Sequence, residues 1–164
     1  MGSNALRRGR ASTPYAEYFV TVCLQPRLAV LVPDVAAVVQ SEAQRLGDNS
    51  EWTLRSLTVM PDHLHLFFIL GERLTLSQTI ARLKAKTQML VRPHGVDWQD
   101  NFYDHKVRRE DSIESIIRYI YLNPYRAGLI QLDECWPHFY CRGEDWAWFQ
   151  EMTDTDQPFP EWLQ

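Results

Sequence analysis

Residues 52–70 read WTLRSLTVMPDHLHLFFIL, two strand-like segments on either side of a turn. Its first half, Trp52–Met60, alternates between apolar and polar side chains, as a strand with one buried face does. Its second half, His63–Leu70, is a short apolar run of strand length. Pro61 and Asp62 stand between the halves and are turn-forming residues. The stretch therefore predicts two antiparallel strands joined as a hairpin.

The flanking segments extend this hairpin into a longer order of elements. Pro33 is typical of a helix start and Gly47 of a helix end. Asp111 or Ser112 can cap the last helix, and Pro124 is predicted to end it. The predicted elements outside the hairpin are a strand at residues 18–24, helices at 33–46 and 74–91, a strand at 101–109 and a helix at 113–123.

This order is β-α-β-β-α-β followed by one more helix, which is the ferredoxin-like order. We therefore predict an α+β fold with an antiparallel sheet and helices on one face. A C-terminal helix, which carries Tyr119, and an irregular tail complete the predicted fold. Residues 1–14 are predicted to be a flexible leader, residues 15–130 the domain, and residues 131–164 a tail that packs on it.

Composition excludes several classes of protein. The chain has 164 residues, of which 45% are hydrophobic and 23% charged, so a packed core is expected and a disordered chain is not. The longest apolar run, residues 64–70, is far shorter than the roughly 20 residues that a membrane span needs. The cysteines are few and odd in number, which argues against a disulfide framework and for a reducing cytoplasm; they are Cys23, Cys135 and Cys141.

The net charge of −4 hides an asymmetry along the chain. Residues 1–128 carry 16 basic and 13 acidic side chains, whereas residues 129–164 carry one and eight. Because local charge decides phosphate binding, a nucleic-acid partner stays compatible with the acidic total.

His63 and His65 are the first candidate site. Residues i and i+2 of a strand point to the same face, so both imidazoles can reach one metal ion. The pattern is equally that of two ordinary strand histidines, and the spacing alone leaves both interpretations open.

Tyr119 and Asn123 are the second candidate site. They lie four residues apart on the predicted last helix and so share a side, whereas Tyr121 faces elsewhere. An amide oxygen could be a third metal ligand and a phenol could act on a metal-bound substrate. The alternative is a core aromatic and a helix-end amide.

Basic and aromatic side chains offer contacts for DNA. Any single basic side chain could equally be solvated surface charge, but together they could bind phosphates. The 20 aromatic residues include possible stacking partners for unpaired bases, although most will belong to the core. The basic candidates are Arg82, Lys84, Lys86, Lys106, Arg108, Arg109 and Arg126.

Several segments resemble one family, the single-tyrosine HUH transposases. Residues 60–66 (MPDHLHL) resemble the family's MPNHVHL, and residues 119–129 (YIYLNPYRAGL) resemble YIxxNPVRAGL. Residues 98–109 resemble the run WQxxFYDHxIR, and residues 18–21 and 83–87 resemble the segments YFVT and LKxxT. The resemblance covers roughly residues 15–130 in order, and is closest to the branch of REP-associated tyrosine transposases.

The resemblance implies a function. Members are metal-dependent single-stranded DNA endonucleases and strand transferases, in which a tyrosine forms a 5′-phosphotyrosine link. Residue by residue, Tyr119 matches the nucleophile, and His63, His65 and Asn123 match the ligands of a divalent ion, Mg or Mn here. The branch acts on REP-type DNA hairpins in bacterial chromosomes, so a cytoplasmic, nucleoid-associated protein is expected. Monomer and homodimer both stay open.

The C-terminal region matches the family poorly, and three single positions within the matching segments also depart from it. Asp62 replaces the commoner Asn, Tyr125 replaces Val, and Tyr121 stands where His or Glu is common, which makes it a rival nucleophile. One alternative function is a domesticated protein that binds hairpin DNA without cleaving it. Another is a ferredoxin-like metal-binding or regulatory protein unrelated to DNA.

Overall fold

A six-stranded antiparallel sheet organises residues 12–147, the part of the chain that the computed structural model describes. Residues 1–11 of the predicted leader and 148–164 of the predicted tail lie outside the described residues. The strands are β1 (Glu17–Gln25), β2 (Trp52–Met60), β3 (His63–Leu70), β4 (Asp97–Trp98), β5 (Tyr103–Lys106) and β6 (Phe139–Cys141). The helices are α1 (Pro33–Asp48), α2 (Leu76–Val91), α3 (Ile113–Arg126) and α4 (Gly143–Trp146), with a 3₁₀ turn at Arg92–His94.

The predicted hairpin lies at the centre of this sheet. β2 and β3 pair from Met60 opposite His63 to Trp52 opposite Leu70. β1 pairs with the other side of β3, and β4 and β5 both pair with the outer edge of β1. The order of the four principal strands is therefore β5-β1-β3-β2, which confirms the ferredoxin-like α+β prediction.

The two faces of the sheet bury different helices. On β3, Leu64, Leu66 and Phe68 join the main core beneath α1 and α2. Phe67 points to the opposite face and packs in a second cluster beneath α3. Because side chains alternate along a strand, His63 and His65 share the α3 face with Phe67.

Pro124 does not end the last helix, contrary to the prediction. It lies inside α3, whose final turn continues to Arg126. The helix ends because Gly128 adopts a φ of +68°, which glycine reaches without steric cost. The N–H groups of Gly128 and Leu129 then donate to the carbonyls of Tyr125 and Pro124, the pattern of a Schellman cap.

Two other helix bounds also differ slightly from the prediction. Gly47 lies within α1, which continues to Asp48. α2 begins at Leu76 instead of the predicted Leu74, because Thr75 caps the helix: its hydroxyl accepts from the Gln78 N–H at 3.2 Å. Ser112 caps α3 in the same way by accepting from the Ser115 N–H at 3.1 Å.

The described part of the predicted irregular tail contains regular structure. Phe139–Cys141 forms β6 on the free edge of β2, and α4 follows directly. Three residues are too few to show a strand period, so the sequence pattern did not reveal β6. The side chain of Arg55, itself 7% exposed, secures this segment by pairing with Asp145 and Glu17.

Candidate active site

The two histidines of β3 form a close pair on the α3 face. The Nε2 atoms of His63 and His65 lie 3.1 Å apart, and their rings meet edge to face with centroids 4.8 Å apart. His65 is 4% exposed, so the pair opens outward on the His63 side.

Hydrogen bonds at the Nδ1 atoms orient both rings. The carboxylate Oδ1 of Asp62 lies 2.6 Å from His63 Nδ1, and the hydroxyl of Thr21 lies 2.8 Å from His65 Nδ1. A proton donated from Nδ1 to a carboxylate leaves a lone pair on Nε2. Arg27 donates to the Asp62 carboxylate at 2.5 Å and so fixes its position beside His63.

Both imidazoles are kept neutral. Burial lowers the pKa of His65 well below its usual value, and the charge of His63 lowers it further. Burial also lowers the pKa of His63, against an opposing effect of Asp62. Neutral imidazoles are the form that binds metal ions.

Tyr119 lies beside this pair. α3 packs across the sheet so that the ring of Tyr119 meets that of His65 edge to face, with centroids 5.2 Å apart. Phe19 of β1 lies beneath both rings, 5.8 Å from Tyr119 and 5.6 Å from His65. Asn123, one helical turn further along, is hydrogen-bonded to the phenol of Tyr119.

The pKa of Tyr119 is the result of opposing effects. Burial raises it, while the hydrogen bond from Asn123 and the positive charge of Arg126 lower it, and the net change is upward. Tyr119, Asn123 and Arg126 recur at intervals of four and three residues, so they share one face of α3.

Tyr121, the rival nucleophile, occupies a different environment. Its ring packs against Phe139 at 5.1 Å and Trp146 at 5.6 Å, and its hydroxyl lies 3.4 Å from that of Tyr125. The phenol of Tyr125 donates to the carbonyl of Glu134 at 2.7 Å. The structure therefore places Tyr119, and neither of these tyrosines, against the histidine pair.

The basic candidates on α2 lie on the other face of the sheet from Tyr119. Arg82 pairs with Glu51, and Lys86 is exposed. The ammonium of Lys84 donates to backbone carbonyls of the segment between β4 and β5, including Asn101 at 3.2 Å. Part of this predicted DNA-binding set thus already makes contacts within the protein.

The remaining basic candidates lie at or after β5 and on α3. Lys106 donates to the hydroxyl of Thr13 at 2.9 Å, on the α1 and α2 side of the sheet. Arg108 and Arg109 follow on an exposed turn, where Arg108 lies 3.9 Å from Glu110. Arg126 is the one member of the predicted set whose charge acts on Tyr119 in the described structure.

The residues present fit a divalent metal ion. Two ligand nitrogens bound to one ion at about 2.1 Å and roughly tetrahedral or octahedral angles lie about 3.0–3.4 Å apart. The observed Nε2 separation of 3.1 Å falls in that interval. Residues 12–147 contain no cluster of three or more His, Cys, Asp and Glu side chains that could hold a metal. Among the described residues, a third protein ligand would therefore be of another type, and the amide of Asn123 is beside the site.

Sequence reasoning missed the residues that support this pair. Phe19 and Thr21 stand in the YFVT segment and Arg27 in none of the quoted segments, and no local pattern gave any of them a role at the site. Only the pairing of β1 with β3 brings Thr21 opposite His65. Asp62 was visible as a departure from the family, but its contact with His63 was not.

Comparison with known proteins identifies the family. The sequence model of the family described as "Transposase IS200 like" matches residues 12–123, which is more than half of the chain. The chain belongs to the IS200-like transposase family. The predicted resemblance to REP-associated tyrosine transposases is confirmed by the relatives of this IS200-like transposase.

Two curated relatives carry that name. A predicted REP-associated tyrosine transposase of Haemophilus influenzae is 26% identical over 136 residues, covering 74% of this chain and 77% of the relative. The REP-associated tyrosine transposase of Escherichia coli K12 is 22% identical over 122 residues, covering 73% of each.

Solved structures show the same fold. A REP-associated tyrosine transposase bound to a REP hairpin matches with a TM-score of 0.65 at 22% identity, over 79% of each chain. A predicted transposase of Deinococcus radiodurans matches with a TM-score of 0.51 at 20% identity, over 74% of this chain and 91% of that one. Among the described residues of this IS200-like transposase, no helix is long and apolar enough to cross a membrane.

Proposed function

We propose that this IS200-like transposase is a metal-dependent endonuclease and strand transferase that acts on single-stranded DNA at REP-type hairpins. The observation that supports it most is the contact of Tyr119 with His65, next to a histidine pair whose Nε2 atoms are 3.1 Å apart. The comparisons support the substrate class, because one structural relative is bound to a REP hairpin.

The proposed chemistry is a transesterification at phosphorus. The phenol oxygen of Tyr119 attacks the scissile phosphate, a bond forms between Oη and phosphorus, and the bond to the 3′ oxygen breaks. The phenol loses its proton and the departing 3′ oxygen gains one, so the DNA is held as a 5′-phosphotyrosine. Attack of a 3′-hydroxyl on that link reverses the step and joins strands.

Asn123 and Arg126 prepare the phenol for attack. The hydrogen bond of Asn123 lowers the pKa of Tyr119, as donation from an amide N–H to the phenol oxygen would. Such a donation leaves the amide oxygen available to a cation. The charge of Arg126 lowers the same pKa and favours the phenolate against the effect of burial.

His63, His65 and Asn123 would hold the divalent ion, with Mg or Mn as our proposal for the cell. When bound, the ion polarises the phosphate and stabilises the charge that develops on it. Asp62 and Thr21 hold the two imidazoles by their Nδ1 atoms, which leaves the Nε2 atoms 3.1 Å apart on the same side of the sheet.

A cleavage assay tests the proposal. Labelled hairpin oligonucleotides from the same genome are incubated with the protein in Mg, Mn or EDTA and separated on a denaturing gel. We expect a metal-dependent cut with a protein-linked 5′ end that Tyr119→Phe abolishes. Tyr121→Phe is the matched control, because its hydroxyl faces Tyr125 instead of the histidines, and should still form the adduct.

Other outcomes are also informative. An adduct formed by Tyr119→Phe would contradict the assignment of the nucleophile. If the protein binds hairpins but cleaves none of them with either metal ion, the proposed endonuclease activity is wrong. That result would favour the domesticated protein that binds hairpin DNA without cleaving it.

A further inference from the structure

Tyr103 is an exposed aromatic residue next to the candidate active site. It lies on the edge strand β5, and its side chain is 44% exposed although it stands on the α3 face of the sheet. Its ring contacts Phe19, with centroids 6.4 Å apart, and the same Phe19 contacts Tyr119 and His65. One buried ring thus places Tyr103 beside the nucleophile and the histidine pair.

Strand register gives the distance between Tyr103 and the histidines. Thr21 pairs with His65 on one side and with Tyr103 on the other. These residues form a row across three strands, and partners across a sheet point to the same face. With strands about 4.8 Å apart, the backbone of Tyr103 lies roughly 10 Å from that of His65. That separation suits a nucleotide adjoining a phosphate held at the histidine pair.

Positive charge follows Tyr103 along the chain. Arg108 is exposed and Arg109 stands beside it, just beyond the end of β5. An exposed aromatic face binds an unpaired base by stacking, and basic side chains further along the chain can contact the phosphates of the same single strand. A base within a duplex is already stacked on its neighbours, so the partner of this ring is an unpaired base.

We propose that Tyr103 is a stacking platform for an unpaired DNA base next to the scissile phosphate. The inference rests on the proposed function, since it adds a base-binding position to that site. Tyr103 would hold the single strand in register so that Tyr119 faces the correct phosphodiester. It contributes an aromatic face, and its hydroxyl has no part in the contact.

The test uses binding to hairpin oligonucleotides in a Tyr119→Phe background, which prevents covalent capture. 2-Aminopurine replaces each unpaired base next to the stem in turn, because stacking on an aromatic ring quenches its fluorescence. We expect Tyr103→Ala to weaken binding about 5- to 150-fold and to remove the quenching at one position. Tyr103→Phe should bind and quench as the parent does.

Two further variants make the test specific. Tyr103→Leu keeps an apolar contact with Phe19 without an aromatic face, so it should resemble Tyr103→Ala. Tyr15→Ala removes another exposed tyrosine at the opposite end of the sheet, where its N–H donates to the Leu70 carbonyl, and should bind as the parent does. Thermal unfolding of each variant shows that the fold is intact.

The results separate this proposal from the proposed function. If the chain with Tyr119 intact forms a DNA adduct while Tyr103→Ala or Tyr103→Leu binds as tightly as the parent, the stacking role alone is wrong. Equal losses in Tyr103→Phe and Tyr103→Ala would also overturn it, since they would implicate the hydroxyl. A chain that neither binds hairpins nor forms an adduct would overturn both proposals.

Discussion

The carboxylate of Asp62 lies 2.6 Å from Nδ1 of His63, and the neighbouring Arg27 holds the same carboxylate. The motif MPNHVHL, which residues 60–66 resemble, has an asparagine at this position, and an asparagine would carry no charge. A carboxylate at Nδ1 both orients the imidazole and makes Nε2 a better donor to a metal ion. The turn that joins β2 to β3 therefore also orients the imidazole of His63 through the Asp62 carboxylate.

Asp62→Asn should weaken binding of Mn²⁺ by about 10-fold, and Asp62→Ala by up to about 100-fold. The physical reason is the loss of the charged acceptor at His63 Nδ1. Isothermal titration calorimetry measures the affinity directly, without DNA. Asp34→Asn, an exposed carboxylate in the first turn of α1, is the control and should bind Mn²⁺ as the parent does. Unchanged affinity in Asp62→Ala would show that the contact is incidental.

Arg126→Gln should slow formation of the covalent adduct about 100-fold, as removal of one charge-stabilising group in an active site commonly does. The reason is that the positive charge of Arg126 lowers the pKa of Tyr119. Single-turnover cleavage of a hairpin oligonucleotide measures the rate. Arg45→Gln removes an exposed charge on α1 that pairs with Glu42, and its rate should match the parent's. If Arg45→Gln also formed the adduct slowly, the overall charge of the protein, and not the position of Arg126, would be responsible for the lower rate.

Asp145→Ala should destabilise the fold by about 3–5 kcal/mol, because it leaves the buried guanidinium of Arg55 without its main partner. Asp145 is 2% exposed and accepts from Arg55 Nε at 3.0 Å. Urea unfolding measures the free energy. The neighbouring Glu144→Ala is the control, since that carboxylate is 80% exposed, and it should change stability by less than about 0.5 kcal/mol. A loss below 1 kcal/mol for Asp145→Ala, as for an exposed pair, would contradict the prediction.

The same ion pair predicts a dependence of stability on acid pH. Burial alone would raise the pKa of Asp145, but hydrogen bonds from Arg55 and Arg142 outweigh it, and the pKa is lowered. A carboxyl with a lowered pKa in the folded state stabilises the fold above its unfolded pKa of about 4. That contribution is lost as the pH falls through the lowered value. Urea titrations from pH 7 to below pH 4 should show a steeper loss for the parent than for Asp145→Asn, and parallel curves would argue against the linkage.

Gly71→Ala should destabilise the fold by about 1–3 kcal/mol, because the site has no room for a methyl group. A Cβ there would lie 2.6 Å from the carbonyl oxygens of both Ser50 and Glu51, which are backbone atoms and cannot swing away. Thermal unfolding measures the effect. Gly143→Ala is the matched control, since a Cβ at Gly143 meets nothing within 4 Å. Equal melting temperatures for the two variants would contradict the steric explanation.

Local pattern was enough to predict the centre of the fold and which candidate side chains share a face, while the resemblance to a family assigned the site roles. β2 and β3 have the predicted bounds, because their alternation, apolar run and Pro-Asp turn are all short-range signals. A strand period of two places His63 and His65 on one face, and a helix period of 3.6 places Tyr119 and Asn123 on one side. These relations hold within one element and need no knowledge of its neighbours.

Tertiary structure decided the relations between elements, because these depend on which strand pairs with which and on where each helix packs. Only the packing of α3 on the face opposite α1 and α2 brings Tyr119 to His65 and turns Tyr121 towards Phe139. Only the register of β1 brings Thr21 and Tyr103 into one row with the histidine. A side chain's partner across a sheet is set by the pairing of distant segments, so no single segment of sequence contains it.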